Sequence, residues 1–163
     1  MTSVKTITSA LCLAACFAAA PASAKTISIL GAWTIVSSTP APWVKPGEPP
    51  LPSDEKELLG RQIVFSKNRI TAPSPPLNPQ CRKPNYEYKN YPFGWLFEGN
   101  LPEPQDKAAA ELGFKEKFAP GVSTGCEGVS DFGFLDYNTA LFGLNNRVYR
   151  IKRITTQHEQ LPH

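Results

Sequence analysis

Short runs of β-branched and aromatic residues, broken by turn-forming residues, recur along most of this chain. Residues 27–37 form the first such run, around Gly31-Ala32-Trp33-Thr34-Ile35-Val36. Residues 61–65 and 69–71 flank Ser66-Lys67-Asn68, a hairpin turn signal. Residues 86–97 carry aromatics at strand spacing, and residues 122–129 and 131–135 read as two further strands. Residues 140–144 and 147–154 are joined by Asn145-Asn146, two residues that tolerate positive φ in a type I′ turn. Only one stretch has helical character. Pro104 suits its first turn, residues 105–112 contain three alanines, and Gly113 suits its end. Many short antiparallel strands and one short helix predict a mainly β fold, a small antiparallel barrel. An orthogonal β-sandwich is the alternative.

Proline placement separates strands from loops. Six of the 17 prolines fall in residues 40–52 and five in residues 73–84. Proline donates nothing to a sheet ladder, so these stretches are expected as long loops of a single domain.

The start of the chain reads as an export address. Lys5 precedes an apolar run over residues 7–20, and Ala22-Ser23-Ala24 offers small residues at a signal-peptidase site. The expected organisation is a signal over 1–24, a barrel domain over 25–155 and a flexible tail over 156–163. The expected location is periplasmic or extracellular. Leu13-Ala14-Ala15-Cys16 also fits a lipobox, so the alternative is a lipoprotein tethered through Cys16.

Cleavage changes the cysteine and charge counts. Cys12 and Cys16 leave with the signal, and Cys81 and Cys126 remain as a pair expected to form one disulfide in an oxidising compartment. Lys5 is the only charged residue lost, which leaves a net charge of about +2. So mild a balance gives no electrostatic footprint for nucleic acid. No segment of the mature chain is apolar enough to cross a bilayer as a helix.

Candidate chemistry is sparse. Both histidines, His158 and His163, fall in the expected tail. A Ser-His or Cys-His catalytic arrangement therefore has no histidine within the domain, and neither a metal site nor a cofactor is expected. Asp131 and Asp136, with Glu98 and Glu127 near other aromatic segments, are the carboxylates that a hydrolase would need, although nothing in their spacing sets a catalytic separation.

The strongest local signal is aromatic. Tyr86, Tyr88, Tyr91, Phe93, Trp95 and Phe97 fill six of twelve consecutive positions. The first two alternate and the last four alternate after a shift of one residue, which predicts two strand faces joined by a bulge at Asn90. Tyr86, Tyr88, Tyr91, Trp95 and Phe97 are the candidate binding residues. Such a face can fill the core, line a cavity or anchor a protein partner.

Gly31-Ala32-Trp33 at the first strand and Arg147, Arg150 and Arg153 near the last resemble the calycin superfamily, the small barrels that include lipocalins. The resemblance implies that Trp33 closes one end of the barrel with a late arginine, Arg150 or Arg153, over its ring. It also implies a small apolar or amphipathic ligand held inside. From these features the first expected function is a non-enzymatic exported binding protein. The second is an envelope interaction module, such as an enzyme inhibitor that docks through proline-stiffened loops. A carboxylate-dependent hydrolase is the third.

Overall fold

A computed structural model describes residues 26–45, 54–73, 75, 77 and 81–155. The expected export signal and lipobox, part of the first proline-rich stretch and the expected tail lie outside the described residues. Eight antiparallel strands form one curled sheet, a half-barrel, in the order β3-β2-β1-β8-β7-β6-β5-β4. They are β1 (Gly31–Pro40), β2 (Gln62–Ser66), β3 (Arg69–Thr71), β4 (Glu87–Pro92), β5 (Phe118–Ser123), β6 (Asp131–Asp136), β7 (Thr139–Leu144) and β8 (Arg147–Arg153). The expected helix is present as α2 (Gln105–Leu112), and Gly113 ends it in the left-handed region at φ 104°. A four-residue helix, α1 (Glu55–Leu58), and a 3-10 segment (Phe93–Gly99) add to it.

The strand pattern explains the curl. Trp33 and Ile35 of β1, Ile63 and Phe65 of β2, and Tyr149 and Ile151 of β8 are spaced by two and buried in one cluster with Phe132, Phe134 and Phe142. Their rings form a chain through the interior: Phe65 meets Phe132 edge-on at 5.1 Å, Phe132 meets Phe142 at 5.5 Å, and Phe142 stacks on Tyr149 at 5.2 Å. β1 bends at a register shift between Ile35 and Ser37, and β6 at one between Phe134 and Asp136. Bulges of this kind increase local twist and help a sheet to curl.

A second apolar cluster covers the opposite face. Leu141 and Val148 pack there with Ala108 and Ala109 of α2, Phe114, Leu96 and Phe97. β7 is thus buried on both faces over its first four residues, which is why 140–142 reads as a continuous apolar run. Gly133 makes this layer possible, because a Cβ there would stand 2.9 Å from the Phe114 ring.

Three expected elements differ. The strand expected over 122–129 is instead β5, ending at Ser123. Thr124 turns the chain, its hydroxyl donating to the Val129 carbonyl at 2.6 Å, and Gly125 and Gly128 take positive φ. The strand expected over 86–97 stops at Pro92, and no bulge occurs at Asn90, since β4 and β5 pair in unbroken register. The β7–β8 hairpin is present, but only Asn145 takes positive φ (52°), so its two-residue turn is not type I′.

Two ties brace the sheet. Cys81 and Cys126 form a disulfide, with Cα atoms 5.8 Å apart and 45 residues of separation. In a chain-entropy account a loop of that length contributes about 3–4 kcal/mol. The Cys81 carbonyl accepts from Ile70 N of β3 at 3.1 Å, so the bridge fastens the β3 edge to the β5–β6 turn.

The second tie is Arg153. The register pairs Trp33 with Arg153 and places Arg150 opposite Leu141, on the other face, so Arg153 rather than Arg150 meets the tryptophan. Its guanidinium lies 4.3 Å from the Trp33 ring centroid and 4.7 Å from that of Tyr137. It donates to the carbonyls of Leu30 (2.7 Å), Tyr137 (3.3 Å) and Ser28. The buried Trp33 indole donates to the Ile29 carbonyl at 2.6 Å. Gly31 is fitted to this cluster: its φ is 121°, and a Cβ would stand 3.2 Å from the Arg153 guanidinium.

Arg153→Ala is expected to lower stability by about 3 kcal/mol, since charge-assisted bonds and a ring contact are lost together. Arg150→Ala is expected to cost less than about 1 kcal/mol. Urea unfolding of the oxidised protein measures both, and equal losses would remove the special place given to Arg153.

Candidate functional site

The six clustered aromatics do not share one surface. Tyr86 and Tyr88 belong to the concave side of the sheet. Tyr86 packs against the interior cluster and its hydroxyl donates to the Ser66 carbonyl at 2.9 Å. Tyr88 is 45% exposed, and its hydroxyl accepts from Ile29 N at 3.1 Å. Tyr91 lies on the convex side, where its ring lies under Gly121, leaving no room for a Cβ at that position. Phe93 packs on Phe114 at 6.1 Å. Trp95 is 73% exposed, and Phe97 is buried against Trp43 at 5.5 Å.

The break after Pro92 causes this division. The 3-10 segment swings the chain across the convex face, and within it Phe97 (φ 52°) and Glu98 (φ 61°) take left-handed conformations. Non-glycine residues pay on the order of 1–3 kcal/mol for such geometry, and it persists where surroundings impose it. Asn100 supplies part of that restraint, donating to the Phe97 carbonyl from its side chain at 2.8 Å and its backbone at 3.2 Å.

A groove of about 250 Å³ opens beside this turn. Trp43, Phe97 and Phe142 supply aromatic surface, Glu98 and Asp131 supply carboxylates, and Asn100 and Asn145 supply amides. Gly143 forms part of the floor, where a Cβ would come within 3.2 Å of Phe97 and 3.3 Å of Trp43. Phe97 and Asp131 also line a shallow neighbouring depression with Tyr91 and Trp95, so the two recesses form one continuous strip. On the concave side an open cleft of about 330 Å³ is bordered by Ile27, Tyr88, Asn90, Pro120 and Phe134.

Two phenols in these surroundings are held neutral. Burial, reinforced by neighbouring Tyr88, pushes Tyr86 up to about 12. Burial and then the Asp131 carboxylate raise Tyr91 above the ordinary phenol value. Tyr91 and Asp131 line the same small depression with Trp95.

Of the carboxylates named as hydrolase candidates, Glu98 and Asp131 line the same groove, whereas Asp131 and Asp136 stand apart. Asp131 and Asp136 begin and end β6. Strand rise separates their backbones by roughly 16 Å, beyond the roughly 5–10 Å of a glycosidase pair. Among the described residues no group of three or more His, Cys, Asp or Glu is placed to hold a metal ion. His158 and His163 lie outside those residues. Trp43, the partner that gives Phe97 its place, was not singled out in the sequence. Its Ala-Pro-Trp-Val setting, apolar residues within a proline-rich loop, is the signal that could have found it.

No protein-family model, curated protein or solved structure matches the chain. Among the described residues no helix is long and apolar enough to cross a membrane.

Tyr86 is expected to titrate near 12 and Tyr91 above the ordinary phenol value, with Asp131→Asn lowering Tyr91 toward it, as read from ring-carbon NMR shifts against pH. The neutral Tyr86 is favoured by the fold. Its contribution is complete below the ordinary value of 10.0 and lost as pH rises toward about 12. The melting temperature is expected to fall over that window more steeply than in Tyr86→Phe.

Proposed function

We propose that this chain is an exported, non-enzymatic protein-interaction module of calycin-like form that docks a partner on the convex aromatic strip. The observation that carries this reading is Trp95, 73% exposed beside Tyr91 on a protein whose interior is packed with rings. Tryptophan and tyrosine on a firm scaffold are the side chains on which interface energy concentrates. Export is read from the signal-like pattern of residues 1–24 and is supported by the Cys81–Cys126 bridge. The lipobox at Cys16 keeps a tethered form as the alternative.

A second reading has its own support. The concave cleft of about 330 Å³, edged by Tyr88, Ile27 and Phe134, is of the size that holds a small apolar or amphipathic ligand. It is the weaker reading because the cleft is shallow and open, while Trp33, Phe65, Phe132, Phe134, Phe142 and Tyr149 occupy the interior.

A photo-crosslinking residue at position 95, in protein expressed in its own cell, separates the two. The expected result is a discrete protein adduct from position 95 and none from Val64, an exposed position on β2. A small molecule retained in native mass spectra, with no adduct from position 95, would overturn the interaction reading in favour of the cleft.

A further inference from the structure

The groove beside the strip has a chemical preference of its own. Two carboxylates, Glu98 and Asp131, line it, and among the described residues no lysine, arginine or histidine does. Among the described residues no ion pair neutralises either acid. This negative patch sits on a chain of positive net charge, so it marks a local difference from the rest of the surface. The rings of Trp43 and Phe97, 5.5 Å apart and tilted by 38°, offer aromatic surface next to the acids. Carboxylates together with aromatic faces suit a cation that carries an apolar stem.

Size narrows the occupant. At about 250 Å³ the recess falls below the roughly 300–1,000 Å³ of drug-sized ligand pockets. It suits one extended side chain. Its shape is set before binding: Asn100 holds the left-handed turn that presents Phe97 and Glu98, and Gly143 leaves the space in which Trp43 and Phe97 meet. A site formed in advance loses less freedom on docking.

We infer that the groove receives a basic side chain, arginine or lysine, projecting from the protein partner that covers Trp95. Glu98 and Asp131 neutralise the cationic head, while Trp43 and Phe97 flank the stem. This inference rests on the interaction reading above and specifies the chemistry of the partner.

The test uses the full mature protein and two capped amino acids, N-acetyl-arginine methylamide and its uncharged citrulline counterpart, followed by amide NMR shifts. The arginine compound is expected to give saturable shifts at Gly128, Ser130, Gly143 and Asn145 at millimolar concentration, and citrulline is expected to give none. Glu98→Gln combined with Asp131→Asn is expected to weaken binding about tenfold, the scale of one or two charge-assisted contacts. Unchanged shifts elsewhere in the spectrum would confirm that the double variant is folded. Equal shifts with citrulline, no saturable shift with arginine, or affinity indifferent to the double variant would each overturn the inference. If any of these occurs while position 95 still yields its protein adduct, only the basic side chain is lost. If the adduct is absent too, the interaction reading falls with it.

Discussion

The contact on which the rest of this fold depends is the placement of the Arg153 guanidinium over Trp33. A cation covering a buried indole would ordinarily be costly, because its donors leave water. Here the donors are met by the carbonyls of Ser28, Leu30 and Tyr137, and the head keeps partial contact with solvent. One side chain therefore fixes the segment leading into β1, the end of β8 and the turn between β6 and β7. These segments are distant in sequence, and they set the curl of the central strands. The disulfide acts similarly at the other margin, where it joins the β3 edge to the β5–β6 turn.

With the interior filled, the functional surface moves outward. β5 to β8 carry a second layer on their convex side, made by α2 and the 3-10 segment. Small residues on the strands, Gly121, Gly133 and Gly143, give this layer its depth. The same arrangement lifts Trp95 into solvent and sinks Phe97 beside Trp43. The exposed aromatic and the acidic groove are thus both products of how the outer layer crosses the sheet.

The strands were legible because their apolar residues alternate, and the β7–β8 hairpin because Asn145-Asn146 allows a two-residue reversal. α2 was legible from Pro104, its alanines and Gly113. The split of the aromatic cluster was not. A period of two continues through Phe97 on paper, yet Pro92 cannot extend the ladder, and the turn that follows depends on packing against Phe114 and Trp43, far away in sequence. Choosing Arg153 over Arg150 needed the strand register, since adjacent residues on a strand face opposite sides. Thr124 was hidden for the same kind of reason: its role lies in a bond to Val129 across the turn. The groove joins Trp43, Glu98, Asp131 and Gly143 from four separate segments, and no local pattern announces it.

β4 ends the sheet, and among the described residues no strand pairs with its outer row of backbone donors and acceptors. An open row of this kind is a template on which another chain can add itself. Along β4 the side chains are Glu87, Tyr88, Lys89, Asn90, Tyr91 and Pro92, with Glu87 and Lys89 paired at 2.6 Å. Charge makes the edge poor company for a second copy, and a proline at its last residue interrupts the row. The strand at which the barrel stops closing thereby carries the charges and the proline with which sheet edges resist the addition of further strands.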